Sequence, residues 1–152
     1  MTVHAAASVE LQRTQARIWF EDLRDRICRE IETLEREAPA DLFPQAPASF
    51  ASKPWKRISG EGGGTGGFLR EGRLFEKAVV HTSSGNGKLT PELVKTLPGG
   101  DRQLDYLATS ISPIIHPRSP CVPTVHMNTR FLATSQGWFG GSADLTPMLA
   151  EQ

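Results

Sequence analysis

In residues 123–131, PTVHMNTRF, the character of the side chain changes at every step. Threaded as a β-strand, the segment puts Val125, Met127, Thr129 and Phe131 on one face and His126, Asn128 and Arg130 on the other. The first face is mostly apolar and needs a hydrophobic layer to cover it. The second lines up an imidazole, an amide and a guanidinium, with about 6.5–7 Å between successive groups. An ordinary wet strand face is the plain alternative, but such faces more commonly carry Lys, Glu and Thr. Three unlike polar groups in a row suit a polar ligand with several separated contacts.

The covering layer is legible upstream. From Val9 to Glu37 the apolar residues Ala16, Phe20, Leu23, Ile27, Ile31 and Leu34 recur at steps of three and four, which lays them along one face of an α-helix. Charges fill the remainder, and Asp22 with Arg26 and Asp25 with Arg29 stand at i,i+4 spacing, where opposite charges attract. Pro39 and Pro44 end the helix. It reads as a packing element without chemistry of its own. Residues 38–54 form a Pro/Ala-rich connector with Phe43 and Phe50 as anchors.

The next stretch, WKRISGEGGGTGGFLREGRLFEKAVVHTSS (55–84), has a hairpin pattern with a turn at Glu71-Gly72. Gly62, Gly64 and Gly67 spell G-x-G-x-x-G, but a dinucleotide site needs a buried strand before the glycines and a helix N-terminus after them. Neither flank fits, and no G-K-[ST] follows, so the segment reads as a flexible glycine loop. Residues 82–101 read as a turn, then a short helix from Pro91 with Thr90 as N-cap, then a Pro-Gly-Gly exit. From Leu104 onward strands predominate: ISPIIHP (111–117) stopped by Pro117, then residues 123–134, then a turn-rich close in GWFGGSADLTP (137–147). The expected class is α+β: an antiparallel β-sheet flanked by helices, with the long N-terminal amphipathic helix on one face, in one domain over residues 1–152.

Composition narrows the function. The chain has 152 residues, 38% hydrophobic and 22% charged, with 17 basic and 17 acidic side chains. Zero formal charge gives no global field toward nucleic acid or anionic membrane, so an anionic ligand must be held by locally placed Arg or Lys. Cys28 and Cys121 are far apart in dissimilar contexts, which implies a reducing compartment. No apolar run approaches the roughly 20 residues of a membrane helix. The N-terminus lacks a basic region followed by an apolar stretch, so no secretory signal is expected and the protein reads as cytoplasmic.

Around the decisive strand lie further candidate site residues. HPRSPCVP gives His116 and Arg118, and Asp144 follows the pair Gly140-Gly141 and Ser142-Ala143. Three uses are open. His116, His126 and Asp144 could form a two-His-one-carboxylate metal triad, although His126 and Asp144 are 18 residues apart with no short H-x-D element. A Ser-His-Asp hydrolase would need a nucleophile elbow, and no G-x-S-x-G is present. A metal-free site for a polycarboxylate, with Arg clamping carboxylates and Asp accepting N–H hydrogen bonds, fits the residue types best.

HPRSPCVPTVHMNTRF (116–131) followed by GWFGGSADLTP resembles the signature region of the oxygen-dependent coproporphyrinogen III oxidases, approximately HPRNPxxPTxHxNxRYF and WWFGGGxDLTP. WKRISGEGGG (55–64) and LFEKAVV (74–80) resemble that family's EGGGG loop and FEKAGV strand, and the likeness runs from about residue 10 to the last. The resemblance implies an enzyme of haem biosynthesis that converts two propionates of a porphyrinogen to vinyl groups. Carbon dioxide is released, dioxygen is the acceptor, and no metal or organic cofactor takes part. It implies catalytic roles for His126, Asp144 and Arg130. Asp144 would face the pyrrole nitrogens, Arg130 would bind a propionate, and His126 would assist proton transfer. Asn128 would orient the substrate, with Arg118 and His116 in support and Glu61 with its glycines as a mobile cover. The partners implied are the porphyrinogen, dioxygen and a second subunit in a homodimer.

The chain departs from the pattern at Ser142 in place of the third glycine, at Gly137 in place of the first tryptophan, and at FEKAVVHTS where the family carries FEKAGVNFS. Members of the family also run to about twice this length, their second halves supplying further strands, arginines and dimer surface. A half-domain that binds tetrapyrrole without turnover, or that needs a partner chain, is therefore the alternative expectation.

Overall fold

The computed structural model describes residues 3–58, 61–98 and 105–150. One long helix, α1 (Val3–Glu37), precedes six strands and a short second helix: β1 (Ala51–Lys56), β2 (Gly62–Arg70), β3 (Phe75–Lys88), α2 (Pro91–Thr96), β4 (Asp105–Pro117), β5 (Thr124–Ala133) and β6 (Gly137–Thr146). The strands form one antiparallel sheet in sequence order, a simple meander. This is the α+β arrangement the sequence implies. α1 lies across β3, β4 and β5, and no helix covers the other face among the described residues.

The core sits between α1 and the sheet. Val9, Ala16 and Phe20 of the helix meet Val80, Ile111, Phe131 and Ala133, and further along Ile31 meets Leu69 and Ala78. The apolar stripe holds to Ile31, but Leu34 is half-exposed while Glu35 is completely buried. Four residues beyond Ile31, the 3.6-residue repeat brings position 35 rather than 34 onto the buried face. Glu35 accepts four backbone hydrogen bonds: Ala48 (3.0 Å) and Arg73 (2.5 Å) at Oε2, Leu74 (2.8 Å) and Phe75 (2.9 Å) at Oε1. Burial alone would raise its carboxyl pKa. The four N–H donors outweigh that effect and hold it below the usual glutamate range. Thus one carboxylate ties the connector and the β2–β3 turn to the helix. The surface pairing also differs in detail: Asp22 meets Arg26 at 3.9 Å, but Asp25 engages Arg24 at 2.6 Å instead of Arg29.

Three loop expectations are corrected. The glycine segment is a strand, not a flexible loop, with β2 paired to β1 and β3. Glycine is needed there for closeness: a Cβ at Gly64 would fall 1.8 Å from the Thr82 carbonyl oxygen, and one at Gly63 2.3 Å from that of Trp55. The turn expected from residue 82 is strand as well, since β3 continues to Lys88 paired with β4. The C-terminal GWFGGSADLT is β6, in continuous register with β5. Two expectations stand. The β2–β3 turn falls at Glu71-Gly72, and Thr90 caps α2, accepting from Leu93 N at 3.5 Å. At the turn it is Glu71 that takes positive φ (54°). Gly72 is required for space, because a Cβ there would lie 2.5 Å from Glu35 Oε1. Gly99 and Gly100 of the expected exit, and Leu104, lie outside the described residues.

Candidate functional site

β5 alternates as its sequence dictates. Phe131 and Ala133 are buried under α1, which turns His126, Asn128 and Arg130 to the open face. The antiparallel register then sets Asp144 opposite His126, Ser142 opposite Asn128 and Gly140 opposite Arg130. His126 Nδ1 and Asp144 Oδ2 are 3.2 Å apart, and Asp144 Oδ1 accepts from Thr146 Oγ1 at 3.1 Å. Arg130 Nε donates to Asn128 Oδ1 at 2.8 Å, and Nη2 donates to the same oxygen. A guanidinium has five N–H groups, so three of them remain available to a ligand. Beside it the sheet is vacant, since a Cβ at Gly140 would meet nothing within 4 Å. The result is a cation and a carboxylate–imidazole pair on one flat surface, each with unused hydrogen-bonding capacity.

The other residues expected at the site divide. His116 shares the open face, two positions from Ile114 (the partner of His126), and its Nδ1 lies 3.4 Å from Thr124 Oγ1. Arg118 is placed otherwise. Its Nε and Nη2 donate to the Gly72 carbonyl at 3.1 and 2.8 Å, and its backbone N–H bonds Leu74 O at 2.8 Å. Its guanidinium fastens the β4–β5 loop to the β2–β3 turn at one end of the sheet. Glu61 stands at the opposite end, where Oε2 accepts from Asn86 Nδ2 at 3.1 Å. The glycines that follow it are locked in β2 and do not form a mobile cover. His116, His126 and Asp144 do not converge as a metal triad: among the described residues no three His, Cys, Asp or Glu side chains group closely enough to hold an ion.

The open face also recruits residues that sequence reasoning passed over. β3 pairs His81 with Ser112 and Ser83 with Ser110, and β4 pairs Ser110 with Arg130. The signal was parity along β3, lost when its second half was read as a turn. On the opposite, helix-side face a cleft of about 390 Å³ is lined mainly by apolar groups, among them Trp19, Phe131 and Phe139. No charged candidate faces it, and a polyanionic ligand would find no counter-charge there.

The sequence is similar to one protein family along most of its length. The family model described as Coproporphyrinogen III oxidase matches residues 15–152. The oxygen-dependent coproporphyrinogen-III oxidase of Rickettsia rickettsii (strain Sheila Smith) is 41% identical over 134 residues, 88% of this chain and 47% of the relative. Those of Rickettsia felis and Rickettsia typhi are each 40% identical with the same coverage. The chain thus spans about half the length of the curated relatives it matches. With the matched region running through β5 and β6 and the whole open-face constellation, the chain belongs to the coproporphyrinogen III oxidase family.

Proposed function

We propose that the open sheet face binds coproporphyrinogen III and serves its oxygen-dependent oxidative decarboxylation to protoporphyrinogen IX, without metal or organic cofactor. The observation that carries this reading is the placing of His126, Asn128, Arg130 and Asp144 side by side on two adjacent strands, with His126 and Asp144 3.2 Å apart. A porphyrinogen is electron-rich, with pyrrole N–H donors at its centre and carboxylates at its rim. Asp144 accepts from the pyrrole N–H groups and Arg130 clamps a propionate with its spare donors. His126, fixed by Asp144, moves a proton to or from the reacting region. Asn128 holds the guanidinium in place. For each propionate, carbon dioxide leaves and a hydride equivalent passes from the side chain to dioxygen, which with one proton becomes hydrogen peroxide. A vinyl group remains. The protein's share is orientation and charge placement.

The same reading makes the protein a cytoplasmic homodimer subunit. Free Cys28 and Cys121 support a reducing compartment, and no described helix is long and apolar enough to cross a membrane. The test is anaerobic binding of coproporphyrinogen III, then admission of oxygen and assay for protoporphyrinogen, with Asp144→Asn as control. The reading expects product, reduced about 100-fold in the variant, the size of one charge-positioned catalytic group. Equal product from both proteins overturns the role of Asp144, and no binding overturns the reading.

A further inference from the structure

Beyond the residues that align with the family signature, His81 is a further open-face group able to contact a ligand. His81 lies on β3, opposite Gly66 on one side and Ser112 on the other. Gly66 has no side chain to stand over it, and the edge of the Phe68 ring occupies that space: a Cβ at Gly66 would lie 2.7 Å from the ring and 3.8 Å from His81 Cβ. The imidazole thus stands between the positions of Phe68 and Ser112 on the open face. Its ring makes no hydrogen bond or ion pair among the described residues, and it is only partly exposed. Burial alone lowers its pKa, so at neutral pH it is an uncharged ring with one N–H donor and one acceptor. A half-buried polar ring without a protein partner, on the face where the site lies, has a donor and an acceptor free to meet a ligand.

Its location says what that partner is. In the adjacent row Ser83, Ser110 and Arg130 stand across β3, β4 and β5. His81 is therefore two strands and one pleat step from Arg130, about 10 Å across and about 7 Å along the sheet. From β3 to β6 the face measures about 14 Å, so a ligand whose centre lies over Asp144 and β5 reaches His81 only with its periphery. The periphery of the proposed substrate is carboxylate.

We propose that His81 is a substrate-binding residue whose ring N–H donates to a second propionate of the tetrapyrrole, distinct from the one held by Arg130. This rests on the functional reading above, and the experiment separates the two. Coproporphyrin III, the air-stable oxidised macrocycle with the same four propionates, is titrated into the chain and followed by fluorescence, for wild type and for Arg130→Ala, His81→Ala and His81→Asn. One charge-assisted hydrogen bond predicts a Kd about tenfold higher for His81→Ala. His81→Asn, which restores a donor, stays within about threefold of wild type, a rescue that a purely structural role would not give. The ¹⁵N resonances of the His81 ring move on ligand addition. Wild-type binding weakened by Arg130→Ala but untouched by His81→Ala, with stationary His81 resonances, overturns this inference and leaves the functional reading standing. Saturable binding absent from the wild type overturns both. Should His81→Ala fail to fold, a His81→Asn protein that binds while His81 resonances stay fixed in the wild type has the same refuting force.

Discussion

Replacing Glu35 by Gln tests how one buried carboxylate holds the sheet to its helix. Its two oxygens each accept two backbone N–H groups, at 2.5 to 3.0 Å, and the side chain is completely buried. Glutamine keeps one oxygen but turns an NH₂ toward the other pair of donors. Two buried N–H groups are then unsatisfied at about 1–3 kcal/mol each, and the remaining two lose their charge assistance. A total of about 3–5 kcal/mol follows, allowing for partial relaxation. For a domain of this size it lowers Tm by about 6–20 °C. Glu32→Gln is the control: Glu32 receives one backbone bond, from Phe50 at 2.7 Å, and its loss costs about 1 kcal/mol. The pH dependence has a definite sign. Because the folded-state pKa of Glu35 is depressed, its stabilisation is complete above the ordinary glutamate value and is lost as pH falls through the depressed one. Thermal melts by circular dichroism from neutral to acid pH show a steeper acid decline in wild type than in Glu35→Gln. A Tm shift under 2 °C at neutral pH, or parallel acid declines, refutes the reasoning.

Other outcomes follow from spacing and exposure. Gly64→Ala forces a Cβ to 1.8 Å from the Thr82 carbonyl oxygen and is expected to destabilise by several kcal/mol. Gly140→Ala meets nothing within 4 Å and should leave the unfolding free energy within about 0.5 kcal/mol of wild type; equal shifts for the two variants in chemical denaturation would contradict this. Cys28 is partly buried against the sheet, and burial pushes its thiol up to about 11, whereas Cys121 is exposed. Iodoacetamide at neutral pH should therefore modify Cys121 at least tenfold faster, since the thiolate is the nucleophile; mass spectrometry of timed samples reads the ratio, and comparable rates would contradict the packing of Cys28.

Sequence periodicity carried the architecture where side-chain chemistry alternated cleanly. Phe20, Ile31, Val125 and Phe131 announce their faces, and α1 and β5 follow. It failed where glycine and serine erase that pattern. Residues 62–67 and 82–88 carry too little apolar contrast to reveal a strand, and only the close approach of neighbouring backbones explains why glycine is needed there. Glu35 was hidden because a carboxylate on an apolar stripe looks like a flaw until its four backbone donors are seen. At the site, His126, Asn128 and Arg130 were legible from one strand. The pairing of Asp144 with His126 needed the β5–β6 register, a property of two strands together. For Arg118, residue type alone does not reveal that two of its guanidinium N–H groups bond Gly72 O and place it at one end of the sheet. His81 needed the correct length of β3.

The central claim is that the open face, and not the helix-side cleft, receives the tetrapyrrole, and ligand-induced chemical shifts locate it most directly. Anaerobic addition of coproporphyrinogen III to isotope-labelled protein should shift resonances of His126, Asn128, Arg130 and Ser142, while Gln12, Gln15 and Trp19 on α1 stay in place. Shifts concentrated instead at Trp19, Phe131 and Phe139, which line the cleft of about 390 Å³ between α1 and β5–β6, would contradict it.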